Sequence, residues 1–310
     1  MTLYGDAAGI MAQADKDWER SVRHLRTALA VVRADRVPAG QAVSLYWLGH
    51  ASQAGIPAHE NVRPDPVRCY EEALELFTDL GNAMGANWCR VSLGTCAFFA
   101  GDLDRAEQLA NQVVDDCLAT GIRHPLGQAW GNLADIARRR GDETTTLALL
   151  RDAADVYRDH GDPWSLATTL TDLAAQQARM GLDEALPDLA ESVRLAEEIG
   201  TLAQRQLALA VAAYIHLASG RRAMAIAALG AYDATGHTLT AWGARRSVVS
   251  EHADWLRQTL QDTRAALDPV AVATAAASAR QRPLEAVIDE LILQPASMPI
   301  TGPGHQAPEP

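Results

Sequence analysis

Glycines recur at a fixed spacing along this chain, and that spacing limits its possible folds more than any other feature. One set lies at positions 101, 141, 181 and 220, and a second set at 81, 121, 161, 200 and 236. Glycine takes a positive φ at little cost, so it can close a helix. The first set therefore predicts the bend between the two helices of a hairpin, and the second set predicts the end of the second helix. A repeat of about forty residues therefore predicts stacked helical hairpins.

The repeats carry a second regularity inside their first helices. Leu93, Leu133 and Leu173 fall at one register, and each is followed by glycine or alanine, which lets neighbouring backbones approach closely. We therefore predict an all-α protein, a right-handed α-solenoid of tetratricopeptide-like hairpins with C-terminal capping helices. The clearest units are 82–121, 122–161 and 162–200, followed by a shorter unit at 201–236.

The prolines and the apolar periodicity divide the chain into four parts. We predict an N-terminal helical cap at 1–40, repeats at 41–236, capping helices at 237–294 and a disordered Pro/Gly-rich tail at 295–310.

Pro125 and Pro163 mark helix starts, and Asp162 is a candidate N-cap. Pro187 kinks its helix unless that helix begins late, near Leu186. Further helices are expected at 15–34, 41–53, 70–80, 242–267 and 283–293, with a restart at 268–269.

The charge of the chain excludes several classes of partner. Its formal net charge of -12 opposes direct nucleic-acid binding. The first thirty residues include three aspartates and no long apolar run, so we expect no secretory signal, no membrane anchor and a cytoplasmic location.

No recognised catalytic or metal-binding motif occurs in the sequence. Cys69, Cys89, Cys96 and Cys117 form no C-x-x-C pair, and we expect reduced thiols that pack inside helices. We predict no metal site, no cofactor, no catalytic residue and no enzyme activity.

The first helices also present a polar stripe that faces away from the leucine layer. A concave surface of this kind binds an extended peptide or helix, with Trp88 as an apolar anchor and Arg139 and Arg179 pairing a carboxylate. A merely solvated inner face is the alternative. The candidate residues are Trp88, Ser92, Thr95, Gln128, Asn132, Asp135, Arg139, Thr168, Asp172 and Arg179.

The order Leu133-Ala134, Gly141-Asp142, then Tyr157 resembles a lengthened tetratricopeptide repeat. Residues 127–142 and 253–291 are similar to the helical repeats and the following cap of bacterial LuxR and AfsR/MalT-like regulators. Those regulators are signal-transducing ATPases with numerous domains. No G-x-x-x-x-G-K-[ST] motif occurs, and the last residues are rich in proline and glycine. We therefore carry over neither ATP hydrolysis nor DNA binding.

The resemblance implies an interaction or sensing role in signalling or transcriptional control. Our first hypothesis is a non-enzymatic scaffold that binds a protein or peptide. The second is a sensor whose effector is a small molecule or peptide pheromone in the groove. The third is an enzyme that uses Asp135, Arg139 and Asp172 in an enclosed groove. The sequence leaves the oligomeric state open.

Overall fold

The chain forms a continuous series of helices that pack in sequence order. The computed structural model describes residues 18–53, 64–236 and 258–294, and within these ranges every regular element is a helix. Residues 258–265 are helical, and a π-helical turn, Asp289–Leu293, follows the last α-helix. The helices are α1 (Trp18–Ala34), α2 (Pro38–Gln53), α3 (Pro66–Asp79), α4 (Ala83–Phe99), α5 (Leu103–Thr120), α6 (His124–Arg139), α7 (Glu143–His160), α8 (Pro163–Arg179), α9 (Ala185–Glu198), α10 (Leu202–Ala218), α11 (Arg222–Ala234), α12 (Pro269–Ala279) and α13 (Leu284–Ile288).

Consecutive helices pair into antiparallel hairpins, and the hairpins stack. The pairs are α2–α3, α4–α5, α6–α7, α8–α9 and α10–α11, and each pair also packs against the next. The first members of these pairs are called the first helices below, and the others the second helices. The fold is an α-solenoid of tetratricopeptide-like hairpins, as the glycine spacing predicts. None of the described helices is both long enough and apolar enough to cross a membrane.

The backbone reversals lie where the glycines predict them. Gly101 closes α4 at φ 82°, and Gly121 closes α5 at φ 74°; the Gly121 N–H donates to the Cys117 carbonyl at 2.9 Å. An L-residue with a side chain is strained at this φ, which explains the need for glycine. The lattice is confirmed at all nine positions: Gly81, Gly101, Gly121, Gly141, Gly161, Gly181, Gly200, Gly220 and Gly236.

Aspartate caps the helices that follow several of these turns. Oδ1 of Asp102, Asp142 and Asp162 accepts from the backbone N–H three residues ahead, at 3.0, 3.0 and 3.1 Å. Each bond satisfies a donor that the first helical turn leaves open, and the cap predicted at Asp162 is confirmed. Pro187 is the third residue of α9, which begins at Ala185. It therefore removes no helical hydrogen bond, because the helix begins late, next to Leu186.

Two helices begin earlier than their apolar periodicity predicts. α2 begins at Pro38 rather than at 41, so the boundary expected after residue 40 falls inside it. α3 begins at Pro66 rather than at 70, because Oδ1 of Asp65 accepts from the Val67 N–H at 3.0 Å and caps the helix. The predicted helix at 242–267 is described from residue 258 onward, and the predicted tail at 295–310 lies outside the described residues.

A buried histidine ties the last repeat to the C-terminal helices. α12 packs on α11, and the π-helical turn contacts α9, α10 and α11. His216 of α10 is 0% exposed, and its Nε2–H donates to the Leu291 carbonyl of the π-helical turn at 2.8 Å. Its Nδ1 is buried and has no hydrogen-bond partner among the described residues. Burial therefore lowers the pKa of His216 to about 4.

A glycine pair tests the turn geometry. Gly121→Ala places a side chain at φ 74° and is expected to lower the free energy of unfolding by about 1–2 kcal/mol. Gly131 lies inside α6, and a Cβ there meets only the Gln128 amide, at 3.9 Å. Gly131→Ala is therefore the matched control, with an expected gain of about 0.5–1 kcal/mol. Urea denaturation measures both, and a loss at Gly131 as large as at Gly121 contradicts the argument.

His216 makes the stability of the chain depend on pH. The folded pKa, about 4, lies below the unfolded value of about 6.5, so only the unfolded chain takes up a proton between them. Stability contributed by the neutral imidazole is present above pH 6.5 and is lost as pH falls toward 4, by roughly 3 kcal/mol. His216→Gln keeps an N–H donor for Leu291 but cannot titrate. Urea denaturation from pH 4 to 7 is expected to show a flatter dependence for this variant, and equal slopes contradict the assignment.

Candidate functional site

The first helices line the concave side of the solenoid. α4 packs directly on α6, and α8 on α10, whereas no comparable contact joins consecutive second helices in the described chain. Arg158 of α7 instead reaches Glu191 of α9 through a long ion pair, Nη2 to Oε2 3.2 Å. A stack whose first helices lie closer together curves toward them. The predicted stripe is on these helices.

Buried amides join two pairs of consecutive first helices, α4 to α6 and α8 to α10. Asn132 Nδ2 of α6 donates to the Val91 carbonyl and to Thr95 Oγ1 of α4, both at 3.3 Å. Gln204 Nε2 of α10 donates to Thr171 Oγ1 of α8 at 2.8 Å and to the Ala167 carbonyl of the same helix at 3.2 Å. These bonds run from one first helix to the next, so neighbouring repeats are held in register.

Four of the ten predicted site residues are buried and so do not belong to an open surface. Ser92, Thr95, Asn132 and Asp135 are each less than one-tenth exposed. Asp135 Oδ1 also accepts from Arg138 Nη1 at 2.5 Å, and both side chains are 10% exposed. The residues that remain on the surface are half-buried Trp88, Gln128, Thr168 and Asp172, and exposed Arg139 and Arg179.

The two exposed arginines of the stripe contact other parts of the chain. Arg139 lies 4.7 Å from the centre of the Phe98 ring, and its Nη1 is 3.4 Å from the Phe98 carbonyl. Arg179 Nε donates to Glu143 Oε1 at 2.7 Å, and both side chains are about 40% exposed. An ion pair this exposed contributes little to stability, so a ligand carboxylate can replace Glu143 at small cost.

Tyr214 extends the stripe onto α10 and was not among the predicted residues. It lies half-buried, and burial is the main reason that its pKa is raised. The Arg179 guanidinium lowers this pKa, and the Glu143 carboxylate raises it. Its distance of 39 residues from Ala175 is the signal that finds it, because the unit 162–200 is one residue shorter than the two units before it. We call the surface formed by these seven residues the inner face: Trp88, Gln128, Arg139, Thr168, Asp172, Arg179 and Tyr214.

Trp88 belongs to an aromatic group at one edge of the solenoid. Its ring centre is 5.1 Å from that of His124, which is 5.3 Å from that of His160. His124 Nε2 lies 3.1 Å from Asp162 Oδ2. Burial opposes ionisation of Asp162, but hydrogen bonds from Ser165 and His124 outweigh it and lower its pKa. The carboxylate therefore caps α8 and orients the imidazole beside Trp88.

A second aromatic group, on α2 and α3, was missed by the sequence analysis. The ring centre of Tyr46 is 4.8 Å from that of His50 and 5.9 Å from that of Tyr70. Tyr70 donates to Gln53 Oε1 at 3.0 Å, and Gln53 Nε2 lies 3.2 Å from Cys96 Sγ. Burial raises the pKa of Tyr46 and of Tyr70 well above their usual values, so both hydroxyls stay protonated.

Charge separates the two layers of the solenoid. With histidine neutral, the five first helices hold two acidic residues, Asp135 and Asp172, and five arginines: Arg90, Arg138, Arg139, Arg179 and Arg205. The second helices hold seventeen acidic residues, four in each of α3, α5, α7 and α9 and one in α11, against six arginines. Within the five hairpins, acidic residues are thus concentrated on the second helices, which form the convex side.

The described residues show no arrangement that is typical of an active site. No group of three or more His, Cys, Asp or Glu side chains lies close enough to hold a metal ion in the described ranges. All four cysteines are free thiols. Burial raises the pKa of Cys69 and Cys96 to about 11 and of Cys89 to about 12, and it also raises that of Cys117. These thiols are therefore protonated near neutral pH and are poor nucleophiles.

Comparison with known proteins identifies relatives of the fold. No protein-family model matches the sequence, and no curated protein matches it. A Rap protein complexed with competence and sporulation factor is 13% identical, with a TM-score of 0.66, over 94% of this chain and 76% of that chain. The Rap conjugation gene regulator of plasmid pLS20, in complex with the Phr* peptide, is 15% identical, with a TM-score of 0.57, over 86% of this chain and 76% of that chain. The apo form of RapI is 12% identical, with a TM-score of 0.54, over 84% of this chain and 99% of that chain.

An asparagine pair tests whether the inner layer is held by buried amides. Asn132→Ala removes both bonds to α4 and is expected to lower the free energy of unfolding by about 1–2 kcal/mol. Asn111 is exposed on α5, and Asn111→Ala, the matched control, is expected to stay within about 0.5 kcal/mol of the parent. Urea denaturation of the two variants measures the difference. Equal effects contradict a structural role for the Asn132 amide.

Proposed function

We propose that this chain is a non-enzymatic helical-repeat scaffold that binds an extended peptide or protein segment along the inner face. The observation that carries the proposal is the separation of charge between the two layers. A segment that lies on the first helices meets aromatic, amide and arginine groups, while the acidic excess is on the opposite side. The inner face therefore accepts a neutral or acidic segment, and the convex face repels an acidic one.

The inner face offers three kinds of contact to such a segment. Trp88 supplies an apolar surface, and Gln128 and Thr168 supply hydrogen-bonding groups on consecutive first helices. Arg179 supplies a guanidinium whose present partner, Glu143, is half exposed and exchangeable. We therefore expect a ligand that combines an apolar side chain with a carboxylate about two repeats away.

The fold relatives support a peptide as the ligand. Two of the three Rap structures contain one, namely competence and sporulation factor and the Phr* peptide. At 13% and 15% identity they support the mode of binding and carry no information about sequence preference. A peptide that differs in chemistry from both is compatible with the residues of this inner face.

A scaffold of this kind fits the interaction or sensing part of a bacterial signalling or transcriptional-control system in the cytoplasm. The similarity of residues 127–142, which contain most of α6, to LuxR and AfsR/MalT-like regulators supports that placement. Peptide binding then acts by selecting one superhelical curvature, and the selected curvature sets the affinity for a downstream protein. A peptide-pheromone sensor is the form of this function that the Rap relatives favour.

Selection from a random peptide library tests the proposal. Peptides enriched on the unaltered protein are expected to bind Gln128→Glu/Thr168→Glu at least about tenfold more weakly, because the two carboxylates repel an acidic segment and remove hydrogen-bonding groups. Fluorescence polarisation with a labelled peptide measures the affinity. Thermal denaturation verifies that the variant is folded.

The matched control adds the same two charges to the convex side. Asn111 and Ala119 are exposed on α5, and Asn111→Glu/Ala119→Glu is expected to bind within about twofold of the unaltered protein. The proposal is wrong if no peptide is enriched, or if the inner-face variant and the control bind the enriched peptides equally.

A further inference from the structure

A cavity separates the last repeat from the C-terminal helices. It lies between the beginning of α10, the end of α11, the end of α12 and α13, and its volume is about 410 Å³. Pockets that hold small molecules have volumes of roughly 300–1,000 Å³. The cavity is therefore large enough for a compact small molecule, and it is separate from the seven residues of the inner face.

Six of the eleven residues that line the cavity are apolar, and they come from both sides of the junction. Ala231 and Ala234 of α11 lie opposite Leu284 and Val287 of α13, and Ala231 and Val287 are almost fully buried. Leu202 stands at the rim with 48% of its surface exposed. An exposed leucine beside a buried apolar wall indicates a surface that an aliphatic group can cover.

The cavity carries one positive charge that no described acidic residue balances. Arg282 pairs with Glu290 at 2.6 Å, and Glu285 pairs with Arg205 at 3.2 Å, so these two lining charges are compensated. Arg280 also lines the cavity, and no described acidic group forms an ion pair with it. The uncompensated charge of the site is thus the single positive charge of the Arg280 guanidinium.

An unused amide lines the same cavity as this charge. Gln206 of α10 lines the cavity, is half-buried, and forms no side-chain hydrogen bond with the described residues. Together, Arg280 and Gln206 offer a carboxylate a charged partner and a neutral hydrogen-bond donor. The apolar walls then remain for the rest of the ligand.

We propose that this cavity binds a small monocarboxylate with an aliphatic body of medium length, such as a medium-chain fatty acid. The carboxylate pairs with Arg280 and Gln206 at the mouth, and the chain lies between Ala231, Ala234 and Val287. Because the ligand contacts the last repeat and the capping helices together, binding stabilises their junction. The inference does not rest on the proposed peptide site.

A series of fatty acids tests the site on the full chain. Isothermal titration calorimetry below the critical micelle concentration, from hexanoate to tetradecanoate, is expected to show one site. The affinity should rise with chain length and then fall once the chain exceeds the cavity. Decanol is the uncharged analogue of decanoate and is expected to bind at least about tenfold more weakly, because it cannot pair with Arg280.

Two variants distinguish the contribution of the Arg280 charge to the affinity from the contribution of the cavity volume. Arg280→Gln is expected to weaken decanoate by at least about tenfold and to leave decanol within about twofold. Arg194→Gln, at an exposed arginine of α9, is its control and is expected to bind as the unaltered protein does. Ala234→Phe fills the cavity and is expected to weaken both ligands, whereas Ala223→Phe, at an exposed alanine of the same helix, is expected to weaken neither.

Photo-crosslinking locates the site without relying on a folded variant. A decanoate analogue with a terminal diazirine is expected to label peptides that contain residues 202–206, 231–235 or 279–287. The proposal is overturned if no fatty acid of the series binds, if decanol binds as tightly as decanoate, or if the label lies elsewhere.

Discussion

The architecture depends on one backbone conformation that recurs about every twenty residues. Each recurrence lets the chain end a helix in the left-handed region and reverse direction within a few residues. Because the reversals are evenly spaced, the helices from α4 to α11 have similar lengths, 13 to 18 residues. Helices of similar length stack as two layers, and this separation into layers is what allows one surface to be acidic and the other nearly neutral.

The fold was predictable where its cause is local. Glycine in the left-handed region and aspartate at an N-cap each act within four residues, so the turns and the beginnings of α5, α7 and α8 follow from short stretches of sequence. The start of α3 was placed late because its first turn, with Pro66 and Arg68, has no apolar periodicity. The π-helical turn at 289–293 has no local signal in the sequence. One of its contacts is the hydrogen bond from His216 to the Leu291 carbonyl, and these two residues are 75 positions apart.

The candidate site was predictable in register but not in exposure. Spacing placed the stripe on the first helices, yet it gave no information on how closely those helices approach one another. Asn132 and Thr95 are buried because α4 and α6 are in contact, a tertiary property of two repeats. The aromatic group around Tyr46 was missed because the long connection between α2 and α3 interrupts the period of about forty residues. The C-terminal cavity joins helices that are distant in sequence, so no single pattern encodes it.

The acidic convex layer also has a mechanical consequence. Four carboxylates on each of α3, α5, α7 and α9 repel those on the next second helix, and this repulsion increases the spacing of the outer arc. The contacts between first helices hold the inner arc, so the net effect is a bending moment that closes the solenoid toward its concave side. At physiological salt the repulsion decays over about 8 Å, which restricts it to neighbouring helices. We therefore expect the curvature of the solenoid to relax as ionic strength rises.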